Sequence, residues 1–542
     1  MTSLDDLFKA HEVYKAAKLS TNGDVKTNGK HTMLEEEDEE DIEAGPDMPP
    51  AEVEEGPDDE EGRFFGGGIT RGTADVLDFM DDQDQNELVG FMTDLSCVMF
   101  MGSEADLDAD LKALSILSEH PNLYEEFAKL GCVASLVSLL SHENTDIAID
   151  AIEIIDELTD EDVEAEQEQW DALVDALLEA DLLNLLYENV LRLNEDIESD
   201  RAGIYHVLSI IENLSSRPSI VSVMGNDTRL LPWLLARIQR SEPTVTQNKQ
   251  YSAEVLTILL QSSPTNRTKL ISTEGIDALL QLLSPYRKRD PAKGTEEEEY
   301  TENVFDCLTC CVDDADGKAK FLEAEGIELC LIMFREGKMS RPRALRLLDH
   351  ALGGPDGGAC CERLIEAAGL KVTFSLVMKK QDNEATEHLL GILSSMLRSL
   401  PANEAPRIRL LAKFVEKNYQ VPERLTQIRR EYAARVSVVT SEIKAERGKT
   451  SAEELEERAD EWLSRRLDAG LFVLQTADTI LAWLVAEDDG ARSKIQSLLS
   501  DRDETLDELK LTLKEQVDTM NANPEDEDSM LKDMLSTLIQ HL

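Results

Sequence analysis

Residues 131–163 read GCVASLVSLLSHENTDIAIDAIEIIDELTDEDV, and this stretch decides the fold. After Gly131, apolar residues at Val133, Leu136, Val137, Leu139 and Leu140 recur at helical spacing. The polar run His142-Glu143-Asn144-Thr145-Asp146 interrupts them. Asn144 or Thr145 can cap the next helix by accepting hydrogen bonds from its first free N–H groups. That second helix carries Ile147, Ile149, Ala151, Ile152, Ile154, Ile155 and Leu158. Neither segment is long enough to be stable alone, and each has one wide apolar face. Paired, they form one unit of a stacked helical array in which each unit covers its neighbour's apolar face.

Helix starts of the same phase recur along the chain. They fall at Asp181 (DLLNLLYENVLRL), Leu230 (LLPWLLARIQ), Gly275 (GIDALLQLLS), Gly326 (GIELCLIMFR) and Gly369 (GLKVTFSLVM). The intervals are 50, 49, 45, 51 and 43 residues, somewhat above the ~40–47 of armadillo and HEAT units. Each start is followed by a polar link and another helix, as in DRAGIYHVLSIIENLSS, YSAEVLTILLQSS and TENVFDCLTCCV. The expected fold is all-α, an armadillo/HEAT-like right-handed superhelical solenoid. About six repeats cover 131–400, an N-terminal helical cap covers 63–130, and 401–542 closes the last repeat with a C-terminal helical cap.

Charge divides the chain. Acidic residues number 111 against 54 basic, a net charge of −57. Such a field repels nucleic-acid backbones and attracts basic partners. Residues 1–62 hold 20 acidic and 5 basic residues among Gly and Pro. They are expected to be a disordered acidic tail, solubilising or competing within the molecule for a basic ligand. Residues 405–450 run the other way, with 11 Lys/Arg and 5 Asp/Glu. No apolar leader follows Met1 and no apolar run of ~18 residues occurs, so a soluble intracellular protein with reduced thiols is expected. Farther on, Ser451 and Glu454 have capping-box spacing at the start of a long helical segment reaching past residue 480.

Catalytic patterns are missing. The eight His are scattered, and neither HExxH nor GxSxG occurs. The Gly-rich turn Phe64-Phe65-Gly66-Gly67-Gly68 lacks the Lys-Ser/Thr of a phosphate loop. Cys307, Cys310 and Cys311 have zinc-like spacing, with Cys360 and Cys361 able to complete four thiolates. Inside the apolar run FDCLTCCV they read better as small core residues. No catalytic residue, metal or cofactor is expected.

The acid-rich face of the ladder is the expected site. Residues 131–270 hold 25 acidic and 9 basic residues. Glu153 and Glu157 share one helix face, with Asp156 and Asp160 on the adjoining stripe. Carboxylates clustered there would grip Lys/Arg-rich linear peptides in a salt-dependent way. The alternative is a solvated outer face.

Several long segments carry a family resemblance. They are FMGSEADLDADLKALS at 100–115, the 131–162 stretch, IIENLSS at 210–216, RALRLLDHALGGPDG at 343–357 and RRLDAGLFVLQ at 465–475. In this order they resemble the beta-catenin-like protein 1 family of nuclear armadillo proteins over about residues 100–500. The resemblance implies association with the spliceosomal NineTeen complex in the nucleus. It implies binding of basic, nuclear-localisation-like segments of splicing proteins, including the complex's Myb-domain subunit, and self-association as a possible homodimer. Direct contact with nucleic acid or membrane is not implied.

The chain departs from peptide-binding armadillo importins, which carry a groove Trp four residues before an Asn. Here Ser209 precedes Asn213, and Glu153 precedes Glu157. Charge is therefore expected to carry more of the binding, with Glu153, Asp156, Glu157, Asp160, Glu212 and Asn213 as the partner-binding set. Residues 79–98 do not resemble the family's charged first helix. Two rivals remain: a nuclear import adaptor using the same groove, and an enzyme or zinc protein centred on Cys307, Cys310 and Cys311.

Overall fold

Three helices, not two, make each repeat. The computed structural model describes residues 104–226, 229–448, 458–521 and 529–542. The acidic tail at 1–62, the 64–68 turn, the 79–98 segment and the capping box at Ser451 and Glu454 lie outside the described residues. Among the described residues every regular element is helical. The first triplet is Tyr124–Lys129, Cys132–Ser138 and Thr145–Thr159. Five more follow the same order. We label the long third helices α1 (Thr145–Thr159), α2 (Glu198–Ser215), α3 (Gln247–Gln261), α4 (Glu296–Cys311), α5 (Ser340–Leu352) and α6 (Asn383–Ser399).

The two-helix unit legible in the sequence is the second and third helix of each triplet. In two repeats the first helix escapes periodicity because it is short and mostly polar. Pro264–Ser272 buries only Leu270 and Ile271 of its apolar residues, and Ala315–Glu323 relies on Phe321. The third helices stack in sequence, α1 on α2 and so on to α6. All seven apolar positions read on α1, from Ile147 to Leu158, are buried. At roughly 1.5–3 kcal/mol for each fully buried large side chain, α1 alone contributes on the order of 10 kcal/mol before chain entropy is subtracted. Asn144 caps it, its side chain accepting from the Asp146 N–H at 3.0 Å.

Five of the six second helices follow a left-handed residue, Leu230–Gln239 being the exception with Arg229 at φ −105°. Gly131 holds this conformation in the first repeat, as do Asp181, Glu274, Glu325 and Ala368 in later ones, with φ between 58° and 75°. Gly326 therefore has a different role from Gly131. Its φ is ordinary, but a Cβ there would lie 2.2 Å from the Phe321 ring. Glycine lets the first and second helices of that repeat approach closely.

Basic side chains bind successive repeats by donating to helix-terminal carbonyls, where the helix dipole favours a cation. Arg192 donates to the His142 carbonyl at 2.7 Å, and Lys318 Nζ to those of Val312 at 2.6 Å and His350 at 2.8 Å. Burial lowers the pKa of Lys318, against the pull of Asp313.

The C-terminal cap consumes the basic excess of 405–450. The helix Ala405–Arg447 breaks at 416–419, where Lys417, Asn418 and Tyr419 take positive φ. The ladder continues from α6 onto α7 (Leu471–Glu487). Arg407 pairs with Glu487 and lies 4.9 Å from the Trp483 ring centroid. Arg430 pairs with Glu504 at 2.7 Å, and Arg429 reaches the fully buried Asp478 at 2.8 Å. These arginines hold the cap together, so they are committed within the molecule.

The long helical segment expected to run past residue 480 is instead two helices. Ala459–Asp468 and α7 are bent by 66°. Gly470 turns the corner at φ 94°, and a Cβ there would sit 2.3 Å from Tyr432 Cδ1. Gly470→Ala is expected to destabilise the protein by about 1–3 kcal/mol through left-handed strain and this overlap. Urea denaturation followed by circular dichroism measures the loss. Among the described residues no single helix is long and apolar enough to cross a membrane.

Candidate functional site: the acidic ladder

Charge is segregated along the stacked third helices. Across α1 to α4 the only basic residues are Arg201, His206 and Lys249. Two of these serve structure: Arg201 donates to the Glu195 carbonyl at 3.1 Å and Lys249 to the Arg240 carbonyl at 2.7 Å. The sign changes on α5, where Arg343 pairs with Glu302 and Arg346 with Asp306. At the other end, Lys112 of the helix Glu104–Ala113 approaches Asp150 on α1 at 3.7 Å. An acidic tract thus spans four helices and is closed by cations at both ends.

The six residues expected to bind a partner fall into two groups. Glu157 is exposed, while Glu153 and Asp160 are half-buried. Asp156 is turned inward onto α2. It contacts His206 Nδ1 at 2.8 Å and accepts from Asn213 Nδ2 at 3.3 Å. Asn213 Nδ2 also lies 3.4 Å from Thr159 Oγ1. Asp156 and Asn213 thus clamp α1 to α2.

Burial raises the Asp156 pKa, opposed by hydrogen bonds from His206 and Ser209. Burial works against protonation of His206. The Asp156 hydrogen bond and charge, with Glu153 and Glu157 behind, nevertheless hold its pKa above the ordinary value. The tilt of the helix explains the inward turn, because Asp156 shares its face with buried Ile152 and Thr159.

Glu212 joins a second cluster. It accepts from the Tyr251 hydroxyl at 2.5 Å, and burial raises its pKa, with Glu161, Asp156 and Asp160 adding to the effect. The Tyr205 and Tyr251 rings pack with centroids 5.0 Å apart. Beside them stands Glu254, whose pKa is pushed up to about 7, first by burial and then by Glu212, Glu299 and Glu296. Tyr205, Tyr251, Glu254, Glu296 and Glu299 carry no signal of their own in the sequence. Aligning α2, α3 and α4 by their stacked positions would have brought these residues together.

Buried carboxylates held this close raise one another's pKa. A Lys or Arg side chain entering the tract would relieve that repulsion, and the flanking tyrosine pair could pack its aliphatic stem.

The cysteine set does not converge on a centre. Cys307 is fully buried on α4, its Sγ 3.1 Å from Thr257 Oγ1. Burial raises the thiol pKa values of Cys307, Cys310 and Cys311, which disfavours the thiolates that metal binding requires. Cys360 and Cys361 sit on another helix, Gly358–Glu366, near the Lys318 and Leu352 carbonyls. Among the described residues no group of three His, Cys, Asp or Glu is placed to hold a metal ion.

Comparison with known proteins agrees with this architecture. The sequence model of the family described as "Catenin-beta-like, Arm-motif containing nuclear" matches residues 96–514. Beta-catenin-like protein 1 homolog of Schizosaccharomyces pombe is 38% identical over 483 residues, covering 84% of each chain. Human beta-catenin-like protein 1 is 35% identical over 458 residues, covering 81% of this chain and 80% of its own. Among solved structures, an engineered protein superposes with a TM-score of 0.51 at 12% identity, covering 83% of this chain and 98% of its own. That likeness bears on fold alone. The chain belongs to the beta-catenin-like protein 1 family of nuclear armadillo proteins.

Proposed function

We propose that this protein is a non-enzymatic armadillo scaffold of pre-mRNA splicing, working in the nucleus with the spliceosomal NineTeen complex. It holds basic linear segments of splicing partners, the complex's Myb-domain subunit among them, along the acidic tract of α1 to α4. One observation carries the reading: four successive ladder helices present carboxylates while their lysine and arginine side chains are bonded to backbone carbonyls. Glu153, Glu157, Asp160 and Glu212 make the contacts in this scheme. Asp156 and Asn213 hold α1 and α2 in register beneath them. Family membership supports the nuclear setting.

The experiment uses the full chain and a fluorescent Lys/Arg-rich peptide at ~0.1 M salt, where screening is partial. Glu153→Lys with Glu157→Lys replaces two attractions by two repulsions. The expected loss is about tenfold or more in affinity, with an unchanged melting temperature because neither side chain is in the core. Equal affinity in a folded double variant would remove this face from the site. An import adaptor would also bind the import receptor's β partner through a basic arm, whereas residues 1–62 are acidic. A pulldown with that receptor separates the two readings.

A further inference from the structure

A cavity of about 250 Å³ lies between the second helices of two neighbouring repeats and Ile204 of α2. Its apolar wall is Val190, Leu193, Ile204 and Trp233, and its polar wall includes Glu195, Arg237 and Arg240. The volume is below the ~300–1,000 Å³ of small-molecule pockets, so it suits one side chain better than a cofactor.

The polar wall is built and buried. The Arg237 side chain is 5% exposed, and its Nη2 meets Glu195 at 2.6 Å and its Nη1 meets Glu242 at 2.9 Å. Arg240 also pairs with Glu195, at 3.2 Å. The Arg237 Nε–H and Nη1–H, however, have no hydrogen-bond acceptor, the Nη1 contact with Glu242 being an ion pair without hydrogen-bond geometry. A buried donor left unmatched is costly, and a ligand oxygen would recover part of that cost.

We infer that this cavity is a second recognition site, taking one tyrosine side chain from a segment of a partner protein. Charged side chains and the other large aromatics each fail on a specific count. Lysine or arginine would face Arg237 and Arg240. An added carboxylate would compete with Glu195 and Glu242, which already balance both guanidinium groups. Tryptophan offers a donor only, and phenylalanine offers no polar atom. A phenol places an aromatic body against Trp233 and the aliphatic wall. Its oxygen accepts from Arg237 Nε, and its hydrogen can go to Glu195. Leu191 and Ile197, adjacent in sequence to the cavity and 56% and 52% exposed, offer apolar cover for the flanking peptide.

The test is fluorine NMR of a short capped alanine peptide carrying one fluorotyrosine, mixed with the full chain. Line broadening is expected, and it should be lost in Ala236→Trp, which fills the mouth from the exposed side of its helix. Trp233→Ala, which removes the wall instead, should also abolish it. In competition, the unlabelled tyrosine peptide should outperform its phenylalanine counterpart about tenfold, the worth of one recovered hydrogen bond. No broadening, broadening that survives in both folded variants, or equal competition by phenylalanine would each overturn the inference. Because neither Glu153 nor Glu157 lines this cavity, the double lysine variant should bind this peptide normally.

Discussion

Asp478→Ala is expected to destabilise the C-terminal cap by about 3–5 kcal/mol, the cost of leaving a buried charge without its partner. Asp478 is fully buried on α7, and the side chain of its partner Arg429 is 4% exposed. Removing the carboxylate leaves the guanidinium with only Glu508, at 3.3 Å and 44% exposed, so the lower end of the range is favoured. The pair's net worth is another matter, because both charges lose their water on folding. Arg429→Met combined with Asp478→Leu fills the same space without charge and is expected to recover most of the loss. Equilibrium urea denaturation of the two single variants and the double variant decides it. If Asp478→Ala unfolds at the same urea concentration as the parent, the ion pair is not holding α7 to the Ala405–Arg447 helix.

That ion pair also marks the limit of what sequence alone conveys. The local excess of Lys and Arg over 405–450 was legible, but its destination was not. A basic stretch in an acidic chain can dock on the acidic tract, on a partner, or within its own domain. Only packing distinguishes these, and Arg407, Arg429 and Arg430 are packed within the cap.

The apolar stripes of α1 to α6 were legible because burial on one side imposes the helical period. The first helices Pro264–Ser272 and Ala315–Glu323 were not, because they contribute one or two apolar anchors each and leave no stripe. Asp156 illustrates a third case. Its position three or four residues from Ile152 and Thr159 signalled an inward face, yet its charge suggested solvent. The packing signal prevailed because His206 and Asn213 on α2 were available as partners. Tyr205 and Tyr251 are separated by a whole repeat in sequence, and only the stacking of α2 on α3 brings them together.

Affinity for basic segments is expected to rise by up to about tenfold between pH 6 and pH 8, while the free protein loses stability over the approach to neutrality. Glu254 drives both effects. Burial and its acidic neighbours push its pKa up to about 7, against ~4.3 for an unfolded glutamate. Asp478 is likewise pushed up to about 6, by burial that outweighs the attraction of Arg429.

Between about pH 4.5 and 7 the folded chain therefore holds protons that the unfolded chain has released. Stability falls as pH rises wherever the folded state binds more protons. The contribution is fully present below the unfolded pKa and is lost through the folded one, on the order of 3 kcal/mol after solvent screening. Asp150, also raised to about 6, adds little because its partner Asp108 is lowered in exchange. A docking Lys or Arg reverses the preference at Glu254 by favouring its ionised form. Near pH 6 that ionisation must be forced, whereas near pH 8 it is already complete. His206 acts in the same direction, since its raised pKa keeps a competing positive charge beside Asp156 at the acid end of the range. Glu254→Gln should flatten much of the affinity profile and raise stability at neutral pH. Calorimetric titration of the same basic peptide in buffers of different ionisation enthalpy should show proton release on binding near pH 7. A flat affinity profile with no proton release would mean that basic segments do not reach Glu254.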